Sequence, residues 1–177
     1  MFLDLISTRR SIRKFKPYPV EKEKIEILIE AALRSPSSRG FNPWRFILIQ
    51  DRAMLEALSR AKPHGAGFLK DAPLGIIVCA DASESDVWIE DASIASVFLH
   101  LAAHDLGLGS CWIQLRKRDH NPSVSADTYV KELLNIPDNI MVESIIAIGY
   151  PEEVKKMHKK ESLQFHKVFF NRYGVKD

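Results

Sequence analysis

Apolar residues along this chain recur at alternating helical and extended spacings, so that helices and strands take turns from one end to the other. Phe2, Leu3, Leu5 and Ile6 predict a short helix over residues 2–8. A stronger helix is predicted over 21–34, where Ile25, Ile27, Leu28, Ile29, Ala31, Ala32 and Leu33 are apolar, Pro19 precedes the element and Ser35-Pro36 stops it. Trp44 to Ile49 reads as a strand, and Arg52 to Lys62 as a helix ended by Pro63. Leu74 to Ala80 is a continuous β-branched run of the kind a sheet buries on both faces, which places a sheet at the centre. From Val87 to Leu106, Ile89, Ala92, Ile94, Ala95, Phe98, Leu99, Leu101, Ala102 and Ala103 go nearly all the way round a helix closed by Gly107. Such an element is buried in a core or at a subunit interface. Ser110 to Leu115 is the next strand, Ala126 to Leu134 a helix ended near Pro137, and Met141 to Ile148 a last strand cut off by Gly149-Tyr-Pro151. Residues 152–177 are rich in Lys and aromatics without a clear period, and a tail of that kind needs a surface to lie on.

A length of 177 residues fits one domain spanning 1–177. With 46% hydrophobic and 27% charged residues the chain can bury a core, which excludes disordered and collagen-like classes. Twenty-five basic against 23 acidic residues leave a net charge of +2, too mild to imply nucleic acid or membrane, so any basic site must be local. Cys79 and Cys111 lie inside apolar runs and read as small buried hydrophobes rather than a bridge or a nucleophile, which suits a reducing cytoplasm. The N-terminus, with Asp4 inside its short apolar stretch, does not read as a signal peptide, and no apolar run is long enough to span a bilayer. The expectation is a soluble cytoplasmic protein with no membrane partner.

Three segments bear on chemistry. Arg9-Arg-Ser-Ile-Arg-Lys-Phe-Lys16 places five basic side chains and a hydroxyl within eight residues, with no acid between Asp4 and Glu21. A phosphate monoester needs convergent donors of this kind, preferably forked arginines backed by a hydroxyl. A solvated charged patch fits the same residues, and nucleic acid is the weaker use, because no aromatic interleaves until Phe15 and Tyr18. Ser35-Pro-Ser-Ser-Arg-Gly-Phe-Asn-Pro-Trp44 is either a plain connecting loop or a wall of small side chains against a flat aromatic cofactor. Leu106-Gly-Leu-Gly-Ser-Cys-Trp112 lacks the third glycine of a dinucleotide fingerprint and follows a helix into a strand, the reverse of the required context, so a Rossmann site is rejected. His100 and His104 have the spacing of zinc ligands, but no Glu follows His100 and no third ligand is evident; structural histidines fit better and no metal is expected. No hydrolase elbow and no Walker loop occur.

Thr8-Arg-Arg-Ser-Ile-Arg13, Ser35-Pro-Ser-Ser38 with Pro43-Trp44-Arg-Phe46, and Glu90-Asp-Ala-Ser-Ile-Ala95 leading through Leu101-Ala-Ala103 to Gly107-Leu-Gly-Ser-Cys-Trp-Ile113 form a series that Gly149-Tyr-Pro151 closes. In this order, and over almost the whole chain, they resemble the FMN-dependent nitroreductase family. The resemblance implies an α+β fold with a mixed central sheet flanked by helices, and an intertwined homodimer. Two FMN molecules would sit at the interface, and the 152–177 tail would lie on the partner subunit. By position, Arg9, Arg10 and Ser11 would hold the FMN phosphate and ribityl chain, with Arg13 reaching phosphate or the ring's polar edge. Pro36, Ser37 and Ser38 would line the flavin from the other subunit, and the Gly109 to Gln114 segment, with Gly109 and Ile113 as its contacts, would pass near the pyrimidine end. A lysine after Gly149-Tyr-Pro151 would complete phosphate binding, Lys156 and Lys159 being preferred over Lys155 and Lys160. Gly40 stands where relatives often have Asn, and Asn42 where Gln commonly precedes Pro-Trp, which makes Asn42 the shifted candidate for the flavin edge.

The implied activity is hydride transfer from NADH or NADPH through flavin N5 to a nitroaromatic, a quinone or a similar small acceptor. Because the cofactor carries this chemistry, no catalytic residue is required. Dehalogenation or flavin fragmentation on the same fold would depend on a lid, and residues 81–88 form only a short link. A non-catalytic flavin-binding protein is the remaining alternative.

Overall fold

The computed structural model describes residues 1–176. Its elements are α1 (Phe2–Thr8), α2 (Lys22–Leu33), β1 (Trp44–Ile49), α3 (Arg52–Ser59), β2 (Leu74–Asp81), α4 (Trp88–Asp105), β3 (Gly109–Gln114), β4 (Asp119–Asn121), β5 (Val124–Ser125), α5 (Ala126–Leu134) and β6 (Ile140–Gly149). Every element expected from the periodicity forms. Helix α3 ends before Lys62 because the Arg60 and Ala61 N–H groups turn back to Ala57 and Leu58, tightening the last turn. The β4–β5 hairpin was outside the prediction, since its residues are polar and short of any period.

Four strands form the central sheet in the order β1-β2-β6-β3. Ile77 of β2 faces Ile47 of β1 and Ile145 of β6, and Ile113 of β3 faces Ile145 from the other side. All three pairings are antiparallel, so the sheet is mixed only through one parallel bridge, between Ser11 and Ser110 at the outer edge of β3. Strand β2 is buried from Leu74 to Ala80, as a two-faced central strand must be. Alternate residues feed two cores. Ile77, Cys79, Ile113, Ile145 and Ala147 pack with Phe15, α3 and α5, while Ile76, Val78, Ile146 and Ile148 pack with α2 and α4.

Helix α4 buries Ala92, Ala95, Ser96, Leu99 and Ala103 but leaves Ile94 and Val97 exposed at 37% and 51%. Within one chain it is therefore covered on one side only. Phe2, Leu3 and Ile6 of α1 are exposed too, as are Met157, Leu163, Phe165, Val168 and Phe170 of the tail. Both cysteines are free and buried, and burial pushes the Cys79 thiol up to about 12, so it stays protonated and unreactive near neutral pH. Among the described residues no helix is long and apolar enough to cross a membrane.

Candidate functional site

The basic segment leaves α1 at Arg9 and runs extended between the edge of β3 and the chain that follows β6. Ile12 N–H donates to the Ser110 carbonyl at 3.0 Å, Lys16 N–H to Tyr150 at 2.8 Å, and Glu152 N–H to Lys14 at 2.9 Å. The Glu153 carboxylate accepts the backbone N–H groups of Arg13 at 2.5 Å and Lys14 at 3.2 Å, which holds it below the usual carboxylate range. Its other oxygen meets the Lys155 ammonium at 3.4 Å. The segment is thus tied down through its backbone. Among the described residues none of the side chains of Arg9, Arg10, Arg13, Lys14 and Lys16 is in an ion pair with a carboxylate.

Alternation decides where these side chains go. Ile12 turns inward over Gly109, where a Cβ would lie 2.8 Å from the Ile12 side chain. Arg10 donates to the Lys156 carbonyl, and the Arg13 guanidinium sits 5.8 Å from the Phe68 ring centre. Burial pushes the Cys111 thiol up, while the charges of Arg13, Lys155 and Lys62 and a hydrogen bond with Ser11 pull it down. Arg9 stands apart, on the α4 side, where its charge lowers the pKa of both His100 and His104.

Several expected site residues are placed differently from the reading of the sequence. The space at Gly109 is filled by Ile12, so that glycine serves the seating of the basic segment rather than close approach of a ring. Ile113 has no exposed surface and belongs to the core, so its side chain is closed to a ligand. Lys156 contributes its carbonyl to Arg10, and the Lys159 carbonyl accepts from Ser162 Oγ at 2.7 Å, both side chains being exposed. Of the four tail lysines, Lys155 is half-buried and its ammonium meets Glu153, the carboxylate that also holds the Arg13 and Lys14 backbone; nothing in the sequence marks it among its neighbours.

The Ser35–Trp44 loop is braced from both ends. Ser35 Oγ donates to the Ala32 carbonyl at 2.7 Å and finishes α2. The Ser37 hydroxyl donates to Asn42 Oδ1 at 2.8 Å and accepts the Asn42 N–H at 2.9 Å. Asn42 at φ 52° and Gly40 at φ 70° take left-handed conformations suited to those residue types. The Asn42 oxygen is therefore engaged inside the loop, while its amide nitrogen makes no hydrogen bond among the described residues. Pro36 is exposed and Ser37 and Ser38 are half-buried, leaving their small side chains as a wall. Ser38 N–H donates at 2.8 Å to Asp91, a carboxylate only 2% exposed that also accepts the Ser85 hydroxyl at 2.9 Å. Asp91 enters the sequence reading only inside the Glu90–Ala95 motif and not as a site residue, although an acid in the first turn of a mostly apolar helix is a visible signal.

The two helical histidines each face a hydroxyl, His100 Nδ1 with Ser110 Oγ at 2.8 Å and His104 Nε2 with Thr8 Oγ1 at 2.8 Å. Burial, with Arg9 adding to it, takes His100 from 6.5 down to about 4. Its folded-state value lies below its unfolded one, so the unfolded chain binds more protons between pH 6.5 and 4 and stability falls as pH drops through that window. We expect His100→Gln to flatten this part of a pH–stability curve measured by urea unfolding; an unchanged slope would refute the assignment.

The backbone-anchored basic segment lies along the β3 edge of the antiparallel sheet, while the braced loop of small residues leads into β1 on the opposite edge, so within one chain of this α+β protein the two stand apart. The Nitroreductase family model matches residues 6–64 and 53–150. A solved structure of an FMN-dependent nitroreductase from Clostridium difficile R20291 superposes with a TM-score of 0.95 at 47% identity, covering 97% of this chain and 99% of that one. A second, from Parabacteroides distasonis and provisionally called NADH dehydrogenase/NAD(P)H nitroreductase, gives 0.88 at 36% identity, with 97% and 98% covered. A curated protein of Methanothermobacter thermautotrophicus with the same provisional name is 40% identical over 154 residues, 85% of this chain and 78% of its own length. The chain belongs to the nitroreductase family, and the α+β fold and oxidoreductase class expected from its motifs stand with that membership.

Proposed function

We propose that this protein is an FMN-dependent oxidoreductase that works as a homodimer and passes hydride from NADH or NADPH to a small acceptor such as a nitroaromatic or a quinone. The observation that carries the reading is the basic segment: among the described residues its guanidinium and ammonium groups have no carboxylate partner, and Ser11 with its hydroxyl lies within it. Cations without partners repel one another, and a dianionic phosphate relieves that repulsion while accepting several charge-assisted hydrogen bonds. The donor set fits FMN in this respect, and the Pro36–Ser38 wall offers the low relief a flat ring needs.

When bound, FMN supplies the redox chemistry, with hydride taken up from the nicotinamide at N5 and delivered to the acceptor. The chain supplies position and charge. Arg10, Ser11, Arg13 and Lys155 would hold the phosphate end, and Arg9 would reach it from the α4 side. Pro36, Ser37, Ser38 and Asn42 contributed by a second copy of the chain would border the ring, since within one chain this loop and the basic segment flank opposite edges of the sheet. The exposed apolar faces of α1, α4 and the tail support pairing with a second copy, because such surface is costly to leave in water. Purified protein is expected to be yellow, to release FMN on denaturation, and to consume NADH or NADPH in the presence of a quinone. A colourless protein that takes up no added FMN would refute the proposal.

A further inference from the structure

The short link after β2 and the loop after α2 are fastened together at several points. At one end the Asp81 N–H donates to the Pro43 carbonyl at 2.9 Å, and the Asp81 carboxylate collects the Ser83 N–H at 2.9 Å and the Ser83 hydroxyl at 2.6 Å. Arg45 pairs with Glu84 at 2.7 Å while its other terminal nitrogen faces the carbonyls of Asn42, Pro43 and Trp44 at 3.1 to 3.3 Å. These contacts are at least partly open to water, where an ion pair contributes little. The buried fastening is Asp91. One of its oxygens takes the Ser38 N–H and the other the Ser85 hydroxyl, so one carboxylate joins the loop, the link and the first turn of α4.

A carboxylate taken out of water is costly unless its oxygens are hydrogen-bonded, and both oxygens of Asp91 are. The loop it holds is strained: Arg39 sits at φ 52°, next to Gly40 at φ 70°, immediately after the Ser38 amide that Asp91 grips. A strained loop keeps one shape only where its surroundings over-determine it. Asp91 fixes it at Ser38, and the Ser37–Asn42 pair fixes it across its base.

We propose that Asp91 is a positioning residue for the cofactor, holding the Pro36–Ser38 wall in the shape that receives the flavin ring and turning residues 82–87 into a brace rather than a mobile lid. This rests on the FMN reading for the identity of the ligand, but the brace itself can be read without any cofactor.

The test compares Asp91→Ala with Asp91→Asn. An asparagine can still accept the Ser38 N–H through its oxygen and donate to the Ser85 hydroxyl through its nitrogen, so it restores the geometry without the charge. Asp91→Ala should weaken FMN binding roughly tenfold and alter the visible circular dichroism of the bound flavin, whereas Asp91→Asn should stay within about threefold of the parent. In the cofactor-free protein, amide hydrogen exchange at Ser38 to Phe41 should quicken in the alanine variant and not in the asparagine variant. Parent-like flavin affinity and spectrum in Asp91→Ala, even with a lowered melting temperature, would overturn the positioning role, as would an asparagine variant as impaired as the alanine one. Unchanged exchange would overturn the brace. If the parent protein binds no FMN, it is the functional reading that fails, and the exchange measurement still decides the brace.

Discussion

Replacing Arg9 and Arg10 together with serine is expected to lower FMN affinity by roughly a hundredfold or more, because each lost charge-assisted hydrogen bond is worth about 1.5–3 kcal/mol. The two side chains approach from different sides. Arg10 is steadied by the Lys156 carbonyl, so its fork is held in place before any ligand arrives, and Arg9 stands near His100 and His104. Their removal leaves Ser11 and Arg13, with Lys155 already sharing its charge with Glu153, against a phosphate that carries close to two negative charges. Substitution by lysine should recover part of the loss, since charge returns but the planar fork does not. Titration of the cofactor-free protein, followed by quenching of FMN fluorescence, measures all three. An affinity unchanged in the double serine variant would remove the basic segment from the site.

Gly149→Ala is the single substitution expected to cost most in stability. A Cβ there would stand 2.5 Å from Cδ and 2.7 Å from Cγ of Pro73, and 3.1 Å from Phe15 Cδ1. The proline ring cannot rotate out of the way, and Phe15 is part of the core that seats the basic segment, so the backbone of β6 has to move. Overpacking of this kind costs about 1–3 kcal/mol, which for a chain of this size corresponds to roughly 2–12 °C in melting temperature. The displaced Phe15 should carry FMN affinity down with it. Gly107→Ala is the control: no atom lies within 4 Å of its Cβ position, and only the strain of φ 74° remains. Equal melting temperatures for the two variants would show that the contact with Pro73 is not what constrains Gly149.

The elements were legible because their signals are local. Apolar spacing alone located α2, α4, β2 and β6, and Gly107 and Gly149-Tyr-Pro151 marked the ends of α4 and β6. The site was legible in part, for the same reason: Arg9 to Lys16 declares its charge within eight residues, and Ser35 to Trp44 its small and turn-forming types within ten. What escaped were roles set by a distant partner, as Asp91 acts on Ser38 and Gly109 makes room for Ile12, and local pairings that no sequence period marks, as Lys155 meets Glu153 and Asn42 meets Ser37.

By itself, then, the sequence determined the order and kind of the secondary structure, the local store of positive charge and the family to which the chain belongs. Only the tertiary structure decided which side of each extended segment faces the core. That choice turned the Ile113 side chain into the core, put Ile12 over Gly109, and left the basic side chains of the N-terminal segment without acidic partners among the described residues. The physical reason is that the central strands are apolar on both faces, so their own pattern does not say which face meets α3 and α5 and which meets α2 and α4; the packing of those helices decides it.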